Sequence, residues 1–206
     1  LVGDNVEVDV IDKEKSLGNI SDILPRKNEL IRPAAANIDQ AVIIFAVTRP
    51  EPNFNLLAKF MIMMDSQKVS TIICFNKMEL AEQSRLDELS EMFSKSGCRV
   101  VFTSAYTKEG IDELKEIIKG RTTIFAGPSG VGKSSITNII LPEAAMKTGG
   151  ISEKIGRGKH TTRHTEIFNV SDDTYILDTP GFTSLSLTDD FAKEDMATQR
   201  APMAEN

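Results

Sequence analysis

The sequence predicts an α/β fold: a mostly parallel sheet with one antiparallel hairpin at its edge, preceded by the last strands of a separate β-barrel. Three observations support this. From Ala41 onward, short runs that are apolar throughout alternate with segments of helical period, as buried parallel strands joined by helices do. A glycine-rich loop, Gly127-Pro128-Ser129-Gly130-Val131-Gly132-Lys133-Ser134, joins one such run to a helix. Ahead of Ala41 the pattern is apolar alternating with acidic, the period of a half-buried strand.

The elements follow in chain order. Residues 6–11 and 19–24 read as strands joined by a turn at 13–18. Two short strands bury no core alone, so they are expected to end a truncated barrel. Pro25 and Pro33 punctuate a linker. Residues 41–47 form a strand covered on both faces, and 56–64 a helix whose Met61, Met63 and Met64 pack in the core. A strand at 71–75, a helix at 84–94, a strand at 99–102 and a helix at 111–119 come next. Residues 122–126 are the strand that enters the glycine-rich loop, and 135–141 the helix that leaves it. Residues 166–170 and 174–177 flank Ser171-Asp172-Asp173 and form a hairpin. The tail at 187–206 has few large apolar residues and is expected to be loosely ordered.

Composition narrows the class. At 206 residues the chain accommodates one domain and part of another, and its 40% apolar share suits a packed core. No apolar run approaches the roughly 20 residues of a membrane span, and nothing resembles a signal peptide. The first residue is Leu, read here as a missing natural N-terminus. Cys74 and Cys98 are expected to be reduced core residues of a cytoplasmic protein, and no metal-ligand spacing is visible. A net charge of −6 argues against a surface coated for nucleic acid. Lys154, Arg157, Lys159, His160, Arg163 and His164 nevertheless crowd one stretch, which is either a solvated loop or a local RNA or phosphate contact.

The glycine-rich loop is a phosphate-binding signature. Gly127, Gly130 and Gly132 let backbone amides turn onto phosphates, with Pro128, Ser129, Val131 and Ser135 completing the cradle. Lys133 reaches the β- and γ-phosphates, and the Ser134 hydroxyl ligates Mg²⁺. Asp178-Thr179-Pro180-Gly181 closes a later strand: the Asp178 carboxylate can hold the Mg²⁺ shell and the Gly181 amide can meet the γ-phosphate. Between them, Thr161 or Thr162 can complete that shell; Thr162 is taken as the ligand. Asn76-Lys77-Met78-Glu79 ends another strand, and a carboxylate two residues beyond the Lys accepts both N–H donors of guanine, which adenine does not offer. The usual residue there is Asp, and the extra methylene of Glu79 is expected to relax that preference. Thr103-Ser104-Ala105 completes the base pocket, Ser104 and Ala105 through backbone amides. All these motifs sit at the C-terminal ends of parallel strands, where open α/β sheets bind ligands. Phe182 stands where many GTPases carry a water-orienting Gln, so intrinsic hydrolysis is expected to be slow; His160 is the nearest substitute, against the rival reading of a simple surface histidine.

The set is complete but rotated: base-reading elements come first, then the phosphate loop, then the Asp178 turn. A guanine-nucleotide switch of circularly permuted order is the reading that follows. The motifs, with Leu24-Pro25-Arg26-Lys27-Asn28, Arg32-Pro33, Ala36-Asn37-Ile38-Asp39-Gln40 and Gly158-Lys159-His160-Thr161-Thr162, resemble the circularly permuted GTPases of small-ribosomal-subunit biogenesis, the RsgA (YjeQ/YloQ) family. The resemblance implies an OB-type barrel ending in residues 1–35, a permuted P-loop GTPase domain over 36–187, and a zinc domain absent from the tail at 188–206. It also implies GTP hydrolysis stimulated by the 30S subunit and its 16S rRNA, with Mg²⁺ and GTP or GDP at the site. His160 matches the family's proposed catalytic histidine, with Lys133 as the second catalytic group. A cytoplasmic monomer with no membrane contact is expected, and zinc belongs only to the absent domain. The competing readings are a P-loop kinase or ATPase and a nucleotide-gated RNA-binding module.

Overall fold

The computed structural model describes residues 1–31, 34–141 and 165–178. Strands β1 (Val6–Asp12) and β2 (Leu17–Ile23) pair antiparallel, with Val6 opposite Ile23 and Val8 opposite Ile20. The alternation read from the sequence is present, but the half-burial is not: Val6, Val8, Val10, Ile20 and Ile23 are 37% to 66% exposed. An alternating strand buries its apolar side only beneath a second layer, and a two-stranded ribbon supplies none.

The linker holds more structure than expected. β3 (Glu29–Leu30) and β4 (Ala35–Ala36) form a miniature antiparallel pair. Two residues are too few to show a period, so the sequence does not reveal them. Asn28 then mimics a strand partner: its Nδ2 donates to the Ile38 carbonyl at 2.6 Å and its Oδ1 accepts from the Ile38 N–H at 2.8 Å. Asn37, in the left-handed region at φ 58°, accepts from the Lys27 N–H and donates to the Gly3 carbonyl, both at 2.8 Å.

The main sheet contains β5 (Gln40–Ala46), β6 (Ser70–Asn76), β7 (Arg99–Thr103), β8 (Thr122–Ala126), β9 (Glu166–Ser171) and β10 (Thr174–Asp178). Its order is β7-β6-β5-β8-β10-β9, parallel except for the β9–β10 hairpin at the edge. Every residue of β5 is buried, as its uninterrupted apolar run implies. Successive side chains go to opposite faces. Ile43 and Phe45 share one apolar cluster with Leu57, Phe60 and Met64 of α1 (Phe54–Ser66) and Leu86 and Leu89 of α2 (Gln83–Phe93). Val42, Ile44 and Ala46 share the other cluster with Ile111, Leu114 and Ile118 of α3 (Ile111–Ile118) and Ile136 and Ile140 of α4 (Lys133–Ile140). Met61 and Met63 pack partly buried against the first cluster. Cys74 lies inside β6; Cys98 precedes β7 and is half-buried. Helix α1 starts two residues before the periodic segment because the Asn53 side chain accepts the Leu56 N–H at 3.0 Å and caps it.

Candidate nucleotide-binding site

β6 and β8 are the two neighbours of β5, so the turn after β6 and the glycine-rich loop after β8 emerge on either side of one central strand end. The loop starts tight against that strand: a Cβ on Gly127 would lie 2.1 Å from the Ile44 carbonyl oxygen. Gly132, at φ 96°, faces the neighbouring motif just as closely, since its Cβ would meet Asn76 Nδ2 at 2.3 Å. Only glycine fits either place.

Asn76 joins the motifs. The side chain is buried, at 1% exposure. Its Nδ2 donates to the Val131 carbonyl of the phosphate loop at 2.8 Å, while its Oδ1 accepts from the Ala105 N–H at 3.1 Å and the Thr103 hydroxyl at 3.2 Å. One amide thereby ties the ends of β6 and β7 to the loop after β8. The backbone-amide reading of Thr103-Ser104-Ala105 is corrected: the Ala105 N–H is taken by Asn76 Oδ1 and the Ser104 N–H by the Glu109 carbonyl at 2.9 Å, so neither amide is free, and Thr103 takes part through its hydroxyl instead. Lys77 is in the left-handed region at φ 65°, and its ammonium donates to the carbonyls of Arg49 at 2.6 Å and Gly130 at 2.7 Å. Arg49 had no sequence signal, because it contributes only its backbone. A single 3₁₀ turn, Met78–Leu80, follows and leaves Glu79 exposed. Ser104 is buried and folds the next loop back: its Oγ accepts the Thr107 N–H at 2.9 Å.

The phosphate loop runs from the buried Gly127 through half-buried Pro128 and exposed Ser129 and Gly130 to the buried Val131. Lys133 donates to the Gly127 carbonyl at 2.7 Å and the Pro128 carbonyl at 2.8 Å, curling its ammonium over the loop. Ser134 and Ser135 are exposed on the first turn of α4. Asp178 ends β10, beside Phe125 of β8 and opposite Glu166 of β9. Burial pushes the Lys133 ammonium down and the Asp178 carboxyl up from their ordinary values. Their mutual attraction opposes both shifts, while the Glu166 charge adds to that of Asp178.

An acidic group held high by burial and a like charge is one that a cation would stabilise in its ionised form. Ser134 and Asp178 offer oxygen atoms only, the chemistry that hard Mg²⁺ prefers. Among the described residues no cluster of three or more His, Cys, Asp or Glu is present. His160, Thr162, Gly181 and Phe182, together with the basic stretch, lie outside the described residues. A polar depression of about 390 Å³ lies at the opposite ends of the strands, where Gln40, Arg99, Lys119 and Arg121 line it. Its cations are already engaged, Arg99 by Glu113, Lys119 by Glu116 and Arg121 by Gln40, and no motif reaches it.

Residues 23–188 match the family model described as RsgA GTPase. The chain is 57% identical over 198 residues to the small ribosomal subunit biogenesis GTPase RsgA of Agathobacter rectalis, covering 96% of this chain and 65% of that protein. To the protein of the same name from Alkaliphilus metalliredigens it is 46% identical over 195 residues, covering 95% and 66%. Among solved structures, YjeQ from Thermotoga maritima superposes with a TM-score of 0.71 at 35% identity, over 90% of this chain and 62% of that one. YloQ, described as a circularly permuted GTPase, gives 0.68 at 30% identity, over 92% and 60%. The chain thus spans just under two thirds of the length of the proteins it matches.

Proposed function

The chain belongs to the RsgA GTPase family and has its circularly permuted fold, and from that premise we propose that it binds guanine nucleotide and hydrolyses GTP to GDP and phosphate on the small (30S) ribosomal subunit during its assembly. The observation that carries the nucleotide reading is the Asn76 amide, which connects the base-reading turn to the phosphate loop through Val131. A P-loop used without a base-reading partner has no need of that bond.

In this proposal Asn76, Lys77, Glu79, Ser104 and Ala105 enclose the base. The stretch from Gly127 to Ser135, with Gly181 at the far end, cradles the phosphates. Ser134, Thr162 and Asp178 would hold Mg²⁺, which when bound neutralises charge on the β- and γ-phosphate oxygens. Water attacks the γ-phosphorus, the bond to the β–γ bridging oxygen breaks, and GDP and inorganic phosphate leave. Lys133 stabilises the charge that develops on the oxygens in this step, because a fixed cation in a water-poor site acts without reorganising. His160 orients the attacking water, a task Phe182 has no polar atom to perform. We further propose that residues 1–35 complete an OB-type barrel, that 36–187 form the GTPase domain, and that the protein acts as a monomer in the cytoplasm, contacting 16S rRNA. Among the described residues, no helix is long and apolar enough to cross a membrane.

Two measurements test the reading. Competition binding is expected to show GDP held at least tenfold more tightly than ADP; equal affinities return the chain to the kinase or ATPase class. Purified small subunits are expected to raise GTP turnover by the full-length protein, and His160→Ala to abolish that stimulation while GDP affinity is retained. Turnover indifferent to the subunits overturns the ribosomal assignment.

A further inference from the structure

We propose that Tyr106 is the platform on which the nucleotide base stacks, an assignment that rests on the guanine-nucleotide reading above. Tyr106 is 86% exposed, the highest value of any large apolar side chain among the described residues. An aromatic ring gains free energy by burial, yet its loop is closed in a form that leaves the ring outside. The Ser104 N–H donates to the Glu109 carbonyl at 2.9 Å and the Lys108 N–H to the Ser104 carbonyl at 2.8 Å, alongside the Thr107 bond to Ser104 Oγ. Gly110, at φ 72°, seals the end: a Cβ there would sit 2.0 Å from the Phe102 carbonyl oxygen. These bonds close the loop on itself and leave the Tyr106 ring outside it.

The ring's place in the fold identifies what covers it. The preceding residue, Ala105, has its N–H held by Asn76 Oδ1 at 3.1 Å, so Tyr106 stands at the rim of the base-reading pocket. At the end of the neighbouring strand β6, Lys77 is anchored through its ammonium to Arg49 and Gly130, which runs its methylene stem from the base-reading turn to the phosphate loop. A planar base entering between the β6 and β7 turns meets the Lys77 stem on one face and the Tyr106 ring on the other. Every base has a π face, so the stack adds affinity without choosing the base, and Glu79 is left to read the edge. Base–aromatic stacking is worth roughly 5- to 150-fold in affinity on alanine substitution.

The test uses the full chain as wild type, Tyr106→Ala and Tyr106→Phe, titrated with GDP and with inorganic tripolyphosphate. The alanine variant is expected to bind GDP at least fivefold more weakly and tripolyphosphate as the wild type does, and the phenylalanine variant to recover the loss. The chain has no Trp and two Tyr, so GDP is also expected to quench tyrosine emission in the wild type and not in Tyr106→Phe. Unchanged GDP affinity in Tyr106→Ala, or quenching that survives in Tyr106→Phe, overturns the proposal. An equal loss for tripolyphosphate also overturns it, because that marks a damaged loop. Wild-type protein that does not prefer GDP to ADP defeats the underlying nucleotide reading instead.

Discussion

A buried amide with both polar atoms engaged cannot be trimmed without leaving orphans, and the Asn76 side chain makes three bonds to two separate segments, the phosphate loop and the end of β7. Asn76→Ala strands the Val131 carbonyl and the Ala105 N–H together. The expected cost is about 2–4 kcal/mol of stability, measured by urea unfolding, with GDP affinity falling in parallel. Gly132→Ala approaches the same contact from the other side: the added methyl meets Asn76 Nδ2, and φ 96° strains any L side chain. It is expected to lower GDP affinity at least tenfold in a titration while costing only about 1–3 kcal/mol of stability. The two cysteines separate by environment. Burial pushes the Cys74 thiol up to about 12, and since the thiolate is the reactive form, a thiol reagent is expected to label Cys98 alone in native protein and both thiols in urea. The meeting of the Asn76 turn with the phosphate loop was legible in the sequence because glycines, a lysine and an asparagine at fixed spacing have few other uses. The part of Arg49 and the hydroxyl role of Thr103 were not, because a spacing rule overlooks a backbone carbonyl and a hydroxyl.

At the scale of elements, helices and central strands were legible to within two residues because their period or apolar run is imposed by the core on either side. The linker was not, because polar side chains rather than a pattern hold it. Its clasp reaches the strand that feeds the phosphate loop: Asp39 Oδ2 accepts the Thr122 N–H at 2.8 Å, its N–H donates to the Thr122 carbonyl at 2.9 Å, and its other oxygen takes the Lys27 ammonium. Burial pushes the Asp39 carboxyl up, but the Lys27 ammonium, the Thr122 N–H and the Arg121 charge outweigh it and hold the group below its ordinary value. A carboxyl depressed in the folded state contributes its full stability above the unfolded value, about 4, and loses it as pH falls through the folded value. Asp39→Asn is therefore expected to cost about 1 kcal/mol at pH 7 and to flatten the acid limb of the melting temperature below about pH 4.

Across the whole molecule the sheet separates two apolar clusters, one under α1 and α2 and one under α3 and α4. Leu57→Ala and Leu114→Ala remove a fully buried side chain from each. Each is expected to cost about 2–5 kcal/mol. Because they share no neighbours, the double variant is expected to add within about 0.5 kcal/mol, read from a urea double-mutant cycle. The β1–β2 ribbon has a different kind of consequence, for the protein as a colloid. In the 206-residue chain its row of Val6, Val8, Val10, Ile20 and Ile23, which the proposed barrel would cover, lies open to water, and the net charge of −6 includes Glu7, Asp9, Asp12 and Asp22 on the same two strands. Like charge keeps copies apart only within its reach, which shrinks from about 30 Å at 0.01 M salt to about 8 Å at 0.15 M. Raising the salt silences the repulsion and leaves the apolar row intact. Light scattering is therefore expected to show attraction between molecules growing with ionic strength, and Val8→Thr with Ile20→Thr, a facing pair, to move the cloud point to higher salt.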